Sequence, residues 1–133
     1  MANEEKNKPK PCPKWLSEAA KKEWRRVAKI LAAEERDFTD KDLKGLEAYC
    51  TNYAKWKRCE EILDEKGYSM VVGENGYEQQ RPEVSVANKA QTEMRAWAKE
   101  LGLTPAARQR MKQDGERTEN GIDAELDGMI AHD

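Results

Sequence analysis

The stretch Leu101-Gly102-Leu103-Thr104-Pro105-Ala106-Ala107-Arg108 contains a signal that ends one helix and, directly after it, a signal that begins another. Gly102 can adopt the left-handed backbone conformation that closes a helix at its C′ position. Thr104 is a good N-cap, and Pro105 suits the first helical position, where its missing N–H has no partner to lose. The sequence therefore predicts a long helix before this junction and a short basic helix after it, to about Gln113.

Two further helices are predicted upstream of the junction. The first has Ser17 as its N-cap and extends to about Ala33. Its apolar residues recur at helical spacing and predict a buried stripe made of Ala20, Trp24, Val27, Ala28 and Leu31. Trp15 and Leu16 precede the cap, and we expect both to fold back on the helix as an apolar staple.

The second helix is predicted to begin after Thr39, which can form a variant of the capping box with Asp42. It extends to about Lys66, where Gly67 ends it. Its apolar stripe is wide and rich in aromatic side chains: Leu43, Leu46, Tyr49, Cys50, Tyr53, Trp56, Ile62 and Leu63. A stripe of this width can contact more than one neighbouring helix, which points to subunit packing as well as to core formation.

A β-hairpin is predicted between the second and third helices. Residues 68–72 favour a strand, residues 73–76 supply Gly-Glu-Asn-Gly turn chemistry, and residues 77–81 can return as the partner strand. An isolated hairpin is marginal in water, so it must pack on a helix or pair with another subunit. The third helix then runs from Glu83 or Ser85 to Leu101, with a stripe of Val86, Ala90, Met94, Trp97, Ala98 and Leu101.

These elements predict a mainly α fold: a helical bundle with long antiparallel helices, one β-hairpin at about residues 68–81, a short C-terminal helix and disordered termini. Residues 1–12 form a basic, proline-rich arm, residues 13–112 a single helical domain, and residues 113–133 an acidic flexible tail. The tail has a helically spaced apolar patch that is expected to fold on a partner: Ile122, Leu126, Met129 and Ile130.

The charge is distributed unevenly along the chain, although the net charge is only −2. Residues 1–30 carry +5 and residues 95–112 carry +4, whereas residues 31–94 carry −5 and residues 113–133 carry −6. Basic segments attract phosphate backbones through counterion release, and an acidic tail is repelled by them. The candidate DNA contacts are therefore the basic residues in and before the first helix and those of the fourth: Lys14, Lys21, Lys22, Arg25, Arg26, Lys29, Arg108, Arg110 and Lys112.

Composition and motifs exclude most catalytic classes. Charged and hydrophobic residues each make up 38% of the chain, so it is either a small helical protein with much solvated surface or an extended protomer that completes its core by oligomerising. There is no glycine-rich phosphate loop, and the one histidine, His132, stands next to the last residue. Cys12, Cys50 and Cys59 lack metal-ligand spacing and are expected to be reduced thiols. No apolar run approaches membrane-spanning length. We expect no enzyme, cofactor, metal site or membrane partner.

The order of these features resembles the small subunit of a tailed-phage or prophage terminase. The resemblance covers about residues 13–112 and rests on an ordered set of motifs: Pro13-Lys14-Trp15-Leu16 before a helix with Trp24, Phe38-Thr39-Asp40-Lys41-Asp42 followed by Leu43, Leu46, Tyr49-Cys50 and Tyr53, a hairpin led by Gly67, a return at Pro82, and Leu101-Gly102-Leu103-Thr104-Pro105 with Arg108. Ala106-Ala107 stands where this family often has a serine before the arginine.

The resemblance implies a non-enzymatic DNA-packaging factor in the cytoplasm of the bacterial host. Such subunits form homo-oligomeric rings, bind double-stranded viral DNA and recruit the large subunit, which carries the ATPase and nuclease. By analogy, the helical middle and the hairpin build the ring, and the tail patch (Ile122, Leu126, Met129 and Ile130) contacts the large subunit. The candidate oligomer-interface residues are Tyr49, Tyr53, Trp56, Tyr68, Val71 and Tyr77.

Two other functions are compatible with the residues. The short linker at residues 34–38 between the first two helices suits a helix-turn-helix regulator, although neither helix has an evident base-reading cluster. The chain is also compatible with a helical adaptor that binds only protein, with its charges merely solvated.

Overall fold

The computed structural model describes residues 11–34 and 39–113. In chain order they form helix α1 (Glu18–Ala33), helix α2 (Asp40–Lys66), strands β1 (Ser69–Val72) and β2 (Tyr77–Gln80), and helix α3 (Pro82–Glu100). Residues 105–113 are helical as well. The mainly helical class with one antiparallel hairpin is confirmed. The terminal arm and the acidic tail lie almost wholly outside the described residues.

Helices α1 and α2 begin at the predicted caps. The Ser17 hydroxyl accepts a hydrogen bond from the Ala20 N–H at 3.3 Å. The Thr39 hydroxyl accepts from the Asp42 N–H at 3.4 Å, and the Asp42 carboxylate accepts from the Thr39 N–H at 3.0 Å. This reciprocal pair completes the capping box, and Gly67 ends α2 with a φ of 85°.

The main core of the part before residue 98 lies where α1 packs against α2. Its largest fully buried side chains are those of Trp24 and Val27 from α1 and of Leu46 and Cys50 from α2. All five residues predicted for the α1 stripe are buried, which confirms that stripe. Each large apolar side chain buried in this way contributes about 1.5–3 kcal/mol, so the core fixes which face of α1 remains in solvent.

The turn before α1 differs from the expectation. Leu16 is buried, but 66% of Trp15 is exposed, so the prediction that both residues fold back on the helix was wrong for Trp15. The Leu16 N–H donates to the Pro13 carbonyl at 3.4 Å, which closes a tight turn. Successive side chains of a turn point in different directions, so burying Leu16 leaves Trp15 outside.

A smaller core cluster joins α2 to the start of α3. It consists of Cys59, Leu63 and Ala87, with Trp56 and Val84 packed against it. Val86, which was predicted to be part of the α3 stripe, is exposed instead. The buried face extends from Ala90 back by three residues to Ala87 rather than by four to Val86, and Ala87 packs with Cys59 and Leu63 of α2.

The hairpin stands in solvent. Its register pairs Val72 with Tyr77 and Met70 with Gln79 on one face, and it pairs Val71 with Glu78 on the other. Seven of its eight strand residues are exposed, and only Met70 is partly buried. The hairpin is therefore held by its own ladder and by its attachment to the helices, without a covering layer among the described residues.

The helix stop predicted at the outset is present in the second compact unit, which begins at Ala98. Gly102 has a φ of 66°, and its N–H donates to the Lys99 carbonyl at 3.1 Å. The Leu103 N–H donates to the Ala98 carbonyl at 2.8 Å. These two bonds are the Schellman motif, which satisfies the last carbonyl groups of α3.

Two helix starts use the proline and cap chemistry described above. Helix α3 begins at Pro82, earlier than either predicted start, because proline fits the first helical position. The Thr104 hydroxyl accepts from the Ala107 N–H at 3.1 Å and caps the helical residues 105–113, as predicted.

Candidate nucleic-acid interface

The solvent face of α1 carries four basic residues at helical spacing, which we call the α1 basic stripe: Lys22, Arg25, Arg26 and Lys29. All four are exposed, since the opposite face of the helix is buried against α2. Positions i, i+3, i+4 and i+7 lie on one side of a helix, and at 1.5 Å per residue the stripe is about 10 Å long.

One member of the stripe is bound to its own helix. Arg26 donates from Nε and Nη2 to the two carboxylate oxygens of Glu23, at 2.5 and 3.0 Å. Glu23 is buried, and Tyr49 of α2 donates its hydroxyl hydrogen to the same carboxylate at 2.8 Å. Two of the five donors of the guanidinium are therefore used internally, and its charge is partly neutralised.

The Glu23–Arg26–Tyr49 network raises the pKa of its two hydrogen-bond donors. The hydrogen bond to Glu23 raises the pKa of the Arg26 guanidinium further above its usual range. Burial, and then the hydrogen bond to Glu23, raise the pKa of Tyr49. Burial also raises the pKa of the neighbouring Cys50 thiol, to about 12. The network is thus a structural link between α1 and α2.

The other three stripe residues are available to a ligand. Within residues 11–34 and 39–113, Lys22, Arg25 and Lys29 form no ion pair. Lys21 lies nearer the core and pairs with Glu18 at 3.6 Å. Lys14 is exposed in the turn before α1. The structure therefore brings together three unpaired cations on one face, which is the arrangement that phosphate contacts require.

The second basic region lies in the other compact unit, in the helical residues 105–113. Arg108, Arg110 and Lys112 are all exposed. Arg108 and Lys112 are four residues apart and share a helix face, whereas Arg110 points about 200° away from Arg108. This segment is thus cationic on two sides rather than on one stripe.

The residues predicted for an oligomer interface are placed in three different environments. Tyr49 is buried within the protomer by the network described above. Tyr53 and Trp56 are half-buried, with ring centroids 6.3 Å apart in a tilted arrangement. The three hairpin residues are exposed, and the strand register places Val71 and Tyr77 on opposite faces: Tyr68, Val71 and Tyr77.

Sequence reasoning missed two features of these surfaces. Val72, opposite Tyr77 and partly exposed, adds to the apolar face of the hairpin, and only the strand register reveals this. Glu23 was not expected to be buried, since it lies at the margin of the α1 stripe. The i, i+3 spacing of Glu23 and Arg26 could have suggested their pairing, but not the contact with Tyr49.

The described residues contain neither a metal-binding cluster nor a membrane-spanning helix. Within them, no group of three His, Cys, Asp or Glu side chains could hold a metal ion. None of the helices in this part of the chain has the length and apolarity to cross a membrane. The residues predicted to contact a large subunit lie outside the described residues: Ile122, Leu126, Met129 and Ile130.

The fold and surface define a small, mainly helical protein with a cationic face on its first helix. A family model described as "Phage terminase, small subunit" matches residues 20–118. The chain therefore belongs to the phage terminase small subunit family, as the motif order suggested, and this family has a role in packaging phage DNA. No curated protein and no solved structure matches the chain.

Proposed function

We propose that this chain binds double-stranded DNA through the α1 basic stripe, assembles into a homo-oligomeric ring and recruits or regulates the large ATPase/nuclease subunit in the cytoplasm of a bacterial host. The observation that carries the DNA-binding part is the set of three unpaired cations, Lys22, Arg25 and Lys29, on one exposed face. Family membership supports the packaging role.

Phosphate contacts have a measurable signature in the salt dependence of binding. Each neutralised phosphate of B-DNA contributes about −0.9 to the slope of log K against log salt concentration. If all three cations contact phosphates, their removal makes the slope shallower by about 2.7. At 0.1 M salt, the loss of three counterion-release contributions weakens binding by roughly 500-fold.

The test compares two triple variants with the same change in charge. The first replaces the three unpaired cations of the α1 basic stripe: Lys22→Gln, Arg25→Gln and Lys29→Gln. The control replaces three exposed cations of α2 and α3: Lys41→Gln, Lys55→Gln and Lys89→Gln. DNA binding is measured by fluorescence anisotropy across a salt series. Equal slopes of log K against log salt concentration for the two variants would show that the α1 face is not part of the DNA site.

The apolar face of the hairpin, on which Val72 and Tyr77 are exposed and Met70 is partly buried, supports the oligomeric part of the proposal. A two-stranded hairpin is marginal when both faces are in water, and contact with a neighbouring subunit would cover this surface. We expect multi-angle light scattering to show an oligomer, and the double variant Val72→Ser/Tyr77→Ser to lower its mass. A wild-type protein that is monomeric at all concentrations would contradict ring assembly.

A further inference from the structure

The turn before α1 leaves the side chain of Trp15 exposed to solvent. With 66% of its surface exposed, it is among the most exposed large apolar side chains of the described residues. Its neighbour Leu16 is only 5% exposed and anchors the chain in the core. The backbone bond from the Leu16 N–H to the Pro13 carbonyl closes the turn, and Ser17 then caps α1. The backbone on both sides of Trp15 is therefore held in place, so that ordering this residue on binding costs little conformational entropy.

The chain around Trp15 carries more cations than anions, since Lys14, Lys21 and Lys22 stand against Glu18, which pairs with Lys21. Lys14 precedes it and is exposed. Lys22, the first residue of the α1 basic stripe, lies five residues beyond the Ser17 cap, or about 8 Å along the helix axis. An apolar protein partner would have to bury these charges, whereas a nucleic acid offers phosphates to the cations and a base to the indole ring.

The type of side chain indicates which part of the DNA it contacts. The side chains that insert between stacked base pairs and kink a duplex are commonly aliphatic or phenylalanine. Aromatic side chains such as tryptophan instead stack on bases that are already unpaired. We propose that Trp15 stacks on an unpaired base of DNA whose backbone lies along the α1 basic stripe. This inference rests on the proposed DNA-binding function and adds a preference for locally opened DNA.

The test uses two fluorescently labelled duplexes that differ only in one unpaired base at the centre of the second. The full-length protein, Trp15→Ala and Trp15→Phe are compared at one salt concentration. Val86→Ala serves as a control that removes another exposed apolar side chain. Light scattering confirms that the variants keep the oligomeric state of the wild type.

Stacking of one base on an aromatic side chain is worth about 1–3 kcal/mol, which corresponds to roughly 5- to 140-fold in affinity. We expect Trp15→Ala to bind the bulged duplex more weakly than the wild type by a factor in this range, while its affinity for the intact duplex changes less than twofold. Trp15→Phe retains most of the affinity. Binding of the bulged duplex quenches tryptophan emission in the wild type more than in Trp15→Phe, since the other three tryptophans are less exposed.

Three results would overturn the inference: unchanged binding of the bulged duplex by Trp15→Ala, an equal loss on both duplexes, or normal DNA binding combined with lost capture of the large subunit. The last would assign Trp15 to a protein contact. Failure of the proposed function is visible separately, because the wild type would then show no salt-dependent binding to the intact duplex.

Discussion

Replacement of Tyr49 by phenylalanine removes one hydroxyl group and tests the link between α1 and α2. That hydroxyl donates a 2.8 Å hydrogen bond to the buried carboxylate of Glu23. A hydrogen bond to a charged group contributes about 1.5–3 kcal/mol. Glu23 keeps both bonds from Arg26, so we expect a loss near 2 kcal/mol in the free energy of unfolding. For a folded region of about 100 residues this lowers the Tm by roughly 8 °C.

The matched control is Tyr53→Phe, one turn further along α2. Tyr53 is half-buried and contacts the ring of Trp56, but its hydroxyl forms no hydrogen bond within the described residues. Both variants are measured by urea unfolding at one protein concentration, since oligomerisation couples stability to concentration. A Tyr49→Phe protein as stable as Tyr53→Phe would refute the structural role of the network.

Two further predictions concern the pH dependence of stability and the reactivity of the cysteines. The pKa of Tyr49 is raised and that of Cys50 is raised to about 12 in the folded protein, so the unfolded chain releases both protons at lower pH. Their stabilising effect is complete below about pH 8 and is lost as the pH rises through 9 to 12, at up to about 1.4 kcal/mol per pH unit for each group. Urea unfolding across this pH range checks the direction of the change. A free energy of unfolding that stays constant or rises with pH would contradict the prediction. In the folded protein, we expect Cys12 to react with iodoacetamide before the buried Cys50 and Cys59 do, as mass spectrometry of the modified peptides can show. Equal reaction rates for all three cysteines would contradict the burial of Cys50 and Cys59.

The boundaries of the helices were predictable because local chemistry determines them. Ser17, Thr39, Gly67 and Thr104 act at the predicted positions, since a cap depends on a few neighbouring backbone groups. The start of α3 at Pro82 was within reach of the same reasoning, because proline has a known preference for the first helical position.

The faces of the elements were predicted less well, because they depend on residues distant in sequence. Val86 is exposed because the face of α3 that packs against Cys59 and Leu63 of α2 carries Ala87 instead. Trp15 is exposed because the turn gives the buried position to Leu16. The spacing of Glu23 and Arg26 could have suggested their ion pair, but the burial of Glu23 and its hydrogen bond from Tyr49 were inaccessible, since both depend on α2.

The adjacent residues Arg25 and Arg26 provide the most direct test of the DNA-binding claim. Both are exposed on α1, but only Arg26 is bound to Glu23. We expect Arg25→Gln to make the salt slope of DNA binding shallower by about 0.9 and to weaken binding about eightfold at 0.1 M salt, with unchanged stability. Arg26→Gln should lower the stability by about 1 kcal/mol and change the salt slope less. A larger loss of affinity and slope for Arg26→Gln than for Arg25→Gln would contradict the account.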